Sequence, residues 1–230
     1  MRTTCANTEA GLILIVSELQ DAYLAAARDL YAGAADEGFA PIERGYRRTY
    51  PSDTPHRDLI CRNFERDAPA MLRQTARIDP VPWEDGLHTL LQALDGRDVD
   101  WWLGGSGALA ARGVAVAPRD LDLVVGEASA YHLGDLLRDY LVEPVVPVQG
   151  WFCTAFGRAF IHMRVEWVGG VTDRADVPHV TDFGPTAARQ LDTIMWRGHT
   201  LRVPPLAMQL EVSERRGLTE RAVAIRQAMG

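Results

Sequence analysis

Apolar positions recur along this chain at two spacings, and the change from one to the other divides it. Residues 9–35 are rich in Ala and Leu, with Leu19, Tyr23, Ala26 and Leu30 at helical intervals, which predicts one amphipathic helix. The segment 41–62 carries Gly45, Pro51, Pro55 and several arginines, and reads as an irregular connection. Helical character returns over 63–77, breaks at Pro80-Val81-Pro82, and resumes over 83–94 before the turn Asp95-Gly96-Arg97-Asp98. Residues 1–82 are therefore expected to form a helical N-terminal region.

From Val99 the pattern shortens to strands. A strand over 99–103 leads into a brief helix over 107–112, stopped by Gly113 and Pro118. A second strand, 120–125, precedes a helix over 129–141. The stretches 151–160 and 163–168 read as strands joined near His162, and 191–196 with 199–203 as a hairpin around Arg197-Gly198. Pro204-Pro205 introduces a helix to Arg216 with Gly217 as its stop, and Thr219 is placed to cap a last helix. The expected class is α+β. A short mixed sheet with helices on one face occupies 83–230, behind the helical N-terminal extension and closed by a C-terminal helical pair over 204–230.

Composition narrows the function. The chain has 230 residues, enough for a substantial core, and its 24 basic and 31 acidic residues give a net charge of −7. That sign opposes general nucleic-acid binding but leaves a local basic groove open. Arg44, Arg47, Arg48, Arg57 and Arg62, interleaved with Tyr46 and Tyr50, form a stretch suited to phosphates and bases, or equally to a solvated loop. Cys5, Cys61 and Cys153 are odd in number and far apart, with no disulfide framework, which fits a reducing cytoplasm. The six histidines are scattered and give little support to zinc. The apolar run Leu12 to Val16 is too short for a signal-peptide core or a membrane span, so a soluble cytoplasmic protein without a membrane partner is expected.

The chemistry concentrates in Gly104-Gly105-Ser106-Gly107 and Asp120-Leu121-Asp122. A Gly-Ser turn at the end of an apolar strand can approach a phosphate. Strand side chains alternate faces, so Asp120 and Asp122 point the same way. Two adjacent acids repel, and a hard divalent cation such as Mg²⁺ is the usual compensation. The bland alternative is an exposed strand start whose acids face water. A third acid, Glu166, alternates with Val165 and Trp167 and is expensive in mid-strand unless satisfied, by a metal or by an arginine such as Arg164. The turn is no Walker A loop, for the Gly-Lys-Ser/Thr ending is absent. Gly105-x-Gly107-x-x-Ala110 matches a dinucleotide fingerprint, but the helix is too short for a parallel crossover and the acids open the second strand instead of ending it.

Gly105-Ser106 on a strand-to-helix turn, Asp120-x-Asp122, and the single acid of Val165-Glu166-Trp167-Val168-Gly169 together resemble the nucleotidyltransferase superfamily. That group holds DNA polymerase β, the aminoglycoside and lincosamide nucleotidyltransferases, and the minimal nucleotidyltransferases of toxin–antitoxin systems. The resemblance covers roughly 85–230. It implies a nucleotidyltransferase fold and metal-dependent transfer of a nucleoside monophosphate from an NTP (ATP foremost) to an acceptor, with release of pyrophosphate. It implies that Asp120, Asp122 and Glu166 are the catalytic acids and ligands of two Mg²⁺ ions, and that Gly104, Gly105 and Ser106 hold the triphosphate. Relatives place a Lys in the C-terminal helix against the triphosphate. Arg215 is the nearest match, with Arg216 and Arg221 nearby, while Arg119 replaces a common Ser and is a further candidate for phosphate contact. A small-molecule hydroxyl is the expected acceptor. A tRNA or protein acceptor, or a module that binds nucleotide or partner without turnover, remains open.

Overall fold

A computed structural model describes residues 1–31 and 38–230 of the chain. The N-terminal third departs from the helical expectation. Strands β1 (Arg2–Thr8) and β2 (Gly11–Ser17) form an antiparallel hairpin, and only α1 (Asp21–Tyr31) of the expected 9–35 helix is helical. Residues 32–35 of that expectation lie outside the described residues. The reason is local: in β2, Leu12, Leu14 and Val16 are fully buried while Ile13 and Ile15 are less so, the period of a strand. The segment 41–62 is equally ordered. It carries β3 (Ala40–Ile42), β4 (Gly45–Tyr50) and the start of α2 (Arg57–Thr75), and the four strands pair in the order β1-β2-β4-β3.

Cys5 on β1 and Cys61 on α2 form a disulfide, with Cα atoms 5.3 Å apart. The expectation of unpaired cysteines, and the compartment argument resting on it, therefore does not hold. Strand β1 packs on α2, and that closes a sequence separation of 56 which spacing alone conceals. Cys153 is buried and free. No helix among the described residues is long and apolar enough to cross a membrane.

Beyond α3 (Trp83–Leu94) come β5 (Trp101–Leu103), α4 (Gly105–Ala111), β6 (Asp120–Val125), α5 (Glu127–Leu136), β7 (Leu141–Pro147), β8 (Ala155–Ile161) and β9 (Met163–Gly169). The five strands form one mixed sheet, ordered β5-β6-β9-β8-β7, in which only β6 and β9 run parallel. Helix α5 ends before the 141 expected of it, and β7, unforeseen in the sequence, begins there. Its two prolines and its register shifts belong to an edge strand. Helices α2, α3 and α5 pack on one face of the sheet, as the α+β expectation requires. That face carries Leu121, Leu123, Val165 and the fully buried Trp167, whose indole N–H donates to the Ala130 carbonyl at 3.0 Å.

After a short α6 (Pro185–Ala188), the hairpin β10 (Asp192–Trp196) and β11 (His199–Val203) turns through Arg197-Gly198, both at positive φ, as the sequence indicates. Helices α7 (Leu206–Arg215) and α8 (Thr219–Met229) close the chain. Ile225 of α8 and Leu210 of α7 pack with Leu109, which fixes the helical pair against α4. Gly217 stops α7 at φ 67°, whereas Thr219 begins α8 and supplies no side-chain cap.

Candidate active site

Strand register brings the predicted acids together. Parallel pairing sets Asp120 beside Arg164 and Asp122 beside Glu166; antiparallel pairing of β9 with β8 then sets Glu166 opposite Arg158. On the edge strand, Glu143 lies opposite Arg158. A polar row, Asp122–Glu166–Arg158–Glu143, thus crosses four strands on the face away from Trp167. One carboxylate oxygen from each of Asp120, Asp122 and Glu166 lies within 4.8 Å of the others.

The three acids are unequally compensated. The Arg164 guanidinium pairs with Asp120, and its Nε stands 3.6 Å from Glu166. Nε of Arg158 donates to Glu166 at 2.6 Å, while its other arms reach Glu143 and the Leu30 carbonyl. Burial raises the Glu166 pKa, but Arg164 and Arg158 outweigh it and hold the carboxyl below its usual range. The Asp122 carboxylate has no hydrogen-bond donor among the described residues. Burial first, then the charges of Asp120 and Glu166, push its pKa up to about 8.

The glycine turn closes against this cluster. The Gly104 N–H donates to the Asp122 carbonyl at 2.8 Å. Gly105 sits at φ 56°, and a Cβ there would overlap Asp122 Oδ2, so both the backbone and the close approach require glycine. Ser106 is buried in the first turn of α4, where N–H groups have no intrahelical acceptor. Gln209 of α7 donates to the Gly105 carbonyl at 3.0 Å and ties the turn to the C-terminal helices.

Across a cleft of about 370 Å³ stand Asp182, Arg216, Arg221 and an aromatic wall. The Phe152 ring lies 4.0 Å from that of Trp151 and 4.8 Å from that of Phe183. Asp182 is buried, which raises its pKa against hydrogen bonding by its own backbone N–H and Gln209 and the smaller pull of Arg216 and Arg221. Its loop is organised by Asp176, which accepts from the backbone N–H of Thr181 at 2.9 Å and of Thr186 at 2.8 Å.

Gly104, Gly105, Ser106, Asp120, Asp122 and Glu166 all line this cleft. Arg119 is exposed and does not, and Arg215 is directed instead to the Val180 carbonyl and to Glu211. Arg216 and Arg221, and not Arg215, line the cleft: the turn at Gly217 carries one of them, and the next helix returns the other to the same wall. Asp182 carries no signal in the sequence, because a loop acid is recognised only when the loop is placed. Trp151 and Phe152, expected in a strand, lie in the loop before β8.

The donor set suits a hard divalent cation. Three carboxylates share one cleft, and Asp122 lacks a compensating donor, the state in which a cation gains most. Arg164 and Arg158 already partly neutralise Asp120 and Glu166, so an incoming ion would compete with them for those two oxygens.

The sequence matches no protein-family profile and no curated protein. Among solved structures, a provisionally named nucleotidyltransferase from Thermotoga maritima is 20% identical, with 62% of this chain and 89% of that one covered at a TM-score of 0.45. The lincomycin-bound lincosamide antibiotic adenylyltransferase LnuA is 11% identical, with 65% and 99% covered and a TM-score of 0.47. ANT(2″)-Ia in complex with adenylyl-2″-tobramycin is 15% identical, with 63% and 87% covered and a TM-score of 0.40.

Proposed function

We propose that the protein is a nucleotidyltransferase that moves a nucleoside monophosphate from an NTP to the hydroxyl of a small molecule. The observation that carries this reading is the convergence of Asp120, Asp122 and Glu166 opposite the Gly104–Ser106 turn, with Arg216 and Arg221 on the facing wall. In this reading Asp120, Asp122 and Glu166 hold divalent cations, which when bound supply charge neutralisation for the phosphates and the leaving pyrophosphate. The Ser106 hydroxyl and the free N–H groups of the turn hold triphosphate oxygens, and Arg216 and Arg221 grip them by planar forks. The acceptor oxygen attacks the α-phosphorus, and the bond from that phosphorus to the departing pyrophosphate breaks. Glu166, kept ionised by its arginines, accepts a hydrogen bond from the acceptor hydroxyl and orients it. A carboxylate held at low pKa is a poor base, so the proton leaves to solvent.

A small acceptor is favoured over RNA by the fate of the arginine-rich stretch. Arg44 pairs with Asp21 and donates to the Leu19 carbonyl, and Arg57 donates to the Thr8 carbonyl. Only Arg48 turns inward, where it lies 3.6 Å from Glu143. None of the stretch lines the cleft around Asp120.

The test is pyrophosphate release from each of the four NTPs with Mg²⁺, beside transfer of label from α-³²P-NTP into a size-fractionated cell extract. The reading expects metal-dependent release and label in the low-mass fraction; label confined to tRNA-sized or protein material would overturn the acceptor class. A second reading has its own support, since Arg164 and Arg158 neutralise two of the acids without any ion. A nucleotide-binding module without turnover would bind MgATP and release no pyrophosphate with any extract.

A further inference from the structure

We propose that the acceptor is a neutral or singly cationic ring-bearing alcohol, held in a cavity that the N-terminal region closes over the Glu166 side of the cleft. The inference rests on the transferase reading and gives that reading its substrate class. The cavity has a volume of about 590 Å³, within the usual range for a small-molecule site. It shares Glu166, Trp151 and Phe156 with the cleft, so the two spaces meet at the carboxylate assigned to the acceptor hydroxyl. A molecule lying in the cavity can present an oxygen at Glu166 while the triphosphate occupies the glycine turn. Its oxygen then bonds to the α-phosphorus, pyrophosphate leaves, and the hydroxyl proton passes to solvent.

Shape argues for a ring. Phe39, Trp151 and Phe156 offer aromatic surface, with Leu30 and Val146 completing apolar walls. The Tyr31 side chain also lines the cavity, and its hydroxyl is buried with no hydrogen-bond partner among the described residues.

Charge argues against an anion. Among the described residues, six carboxylates (Asp29, Asp120, Asp122, Glu143, Glu166 and Asp182) face five guanidinium groups across the two spaces, one net negative charge when all are ionised. Two divalent cations and a triphosphate of charge −4 cancel each other and leave that balance unchanged. Arg48 and Arg158 are committed to Glu143, and Arg164 and Arg158 to Asp120 and Glu166. The carboxylate left over at the mouth is Asp29, exposed and without an ion pair among the described residues.

A matched trio of probes tests this: 4-(aminomethyl)benzyl alcohol, 4-methylbenzyl alcohol and 4-(hydroxymethyl)benzoate, which share one ring and one hydroxyl and differ in charge. Binding is read by ligand-observed NMR on the full chain with Mg²⁺ and α,β-methylene-ATP, and nucleotide binding is titrated separately. The amine and the neutral alcohol should bind, and the benzoate should bind at least about tenfold more weakly, the factor that ~1.4 kcal/mol represents. Val146→Trp, which fills the cavity, should abolish binding of both alcohols. Asp29→Lys, at an exposed position that spares the fold, should weaken the amine and leave the neutral alcohol unchanged. The proposal is overturned if the benzoate binds as well as the amine, if Asp29→Lys leaves the amine's affinity unchanged, or if no alcohol binds while the nucleotide does. Should the alcohols bind as expected and the nucleotide not, the cavity assignment stands and the transferase reading falls.

Discussion

Asp122 carries the sharpest conflict between stability and function in this chain. Its carboxylate lies against two others without a donor, so in the metal-free protein it is destabilising when ionised. Asp122→Asn keeps the shape and removes the charge. The variant should melt higher than the parent without metal, by on the order of 1 kcal/mol, or about 2–4 °C for a chain of this size. It should lose any stabilisation by Mg²⁺, and nucleotidyl transfer should fall about a thousandfold or more. The pH dependence has a definite sign. The folded Asp122 pKa, about 8, exceeds its ordinary 3.8, so across that window the folded state holds a proton the unfolded chain has lost. Metal-free stability should therefore fall as pH rises from 3.8 towards 8, and Asn should flatten that slope. Thermal melts with and without Mg²⁺ at several pH values decide this; equal melting behaviour of parent and variant would remove Asp122 from the site. Gly105→Ala probes the same contact from the other side, since the new Cβ meets Asp122 Oδ2 and the backbone needs positive φ. Its folded fraction should lose nucleotide binding together with metal response.

Two kinds of element carry the site, and they differ in how far the sequence reveals them. Strand β6 was legible to the residue, because Asp120 and Asp122 alternate with Leu121 and Leu123, and β9 nearly so through Val165 and Trp167. Their parallel pairing is a tertiary fact, and it is what makes Asp122 and Glu166 neighbours. The N-terminal hairpin is hidden in the sequence because Leu19, Tyr23, Ala26 and Leu30 do keep helical spacing, a pattern that masks the β-branched Ile13, Ile15 and Val16 before it. Arg158 carries no signal in the sequence, having no acid beside it; its partners Glu143 and Glu166 come from adjacent strands. The Cys5–Cys61 disulfide is hidden for the same reason. It joins β1 to α2, so Cys5→Ser should lower stability by about 2–4 kcal/mol, with the disulfide-bonded protein as reference. Thiol counting under denaturing conditions checks the premise, since three reactive thiols in unreduced protein would refute the bond. In the loop before α6, Asp176→Ala removes the acceptor for the Thr181 and Thr186 N–H groups. Asp182 and Phe183 would then lose their fixed place. A rise in nucleotide KM larger than the fall in kcat is the expected kinetic signature.

Taken across the chain, the N-terminal third packs into the same body as the acid cluster and is not an appendage to it. One cluster of buried apolar residues runs from Leu12 and Leu14 through Phe64 and Leu72 to Leu123, Val165 and Trp167. Polar ties cross the same boundary: the Tyr50 hydroxyl donates to Glu143 at 3.0 Å, Arg48 lies beside that carboxylate, and Arg158 reaches the Leu30 carbonyl. Removing residues 1–82 would expose the sheet face that α2 covers and leave Glu143 and Arg158 short of partners. Loss of one partner from a buried charged group costs roughly 3–5 kcal/mol, a large share of the 5–15 kcal/mol that holds a typical domain folded. The fragment 83–230 should therefore lack a cooperative melt and bind hydrophobic dyes, although it contains the glycine turn and all three acids. A sharp thermal transition and dispersed amide resonances from that fragment would refute the single-body reading. They would also detach the 590 Å³ cavity from the folding unit, since Leu30, Tyr31, Phe39 and Arg48, which line its N-terminal side, would be dispensable to everything but the acceptor.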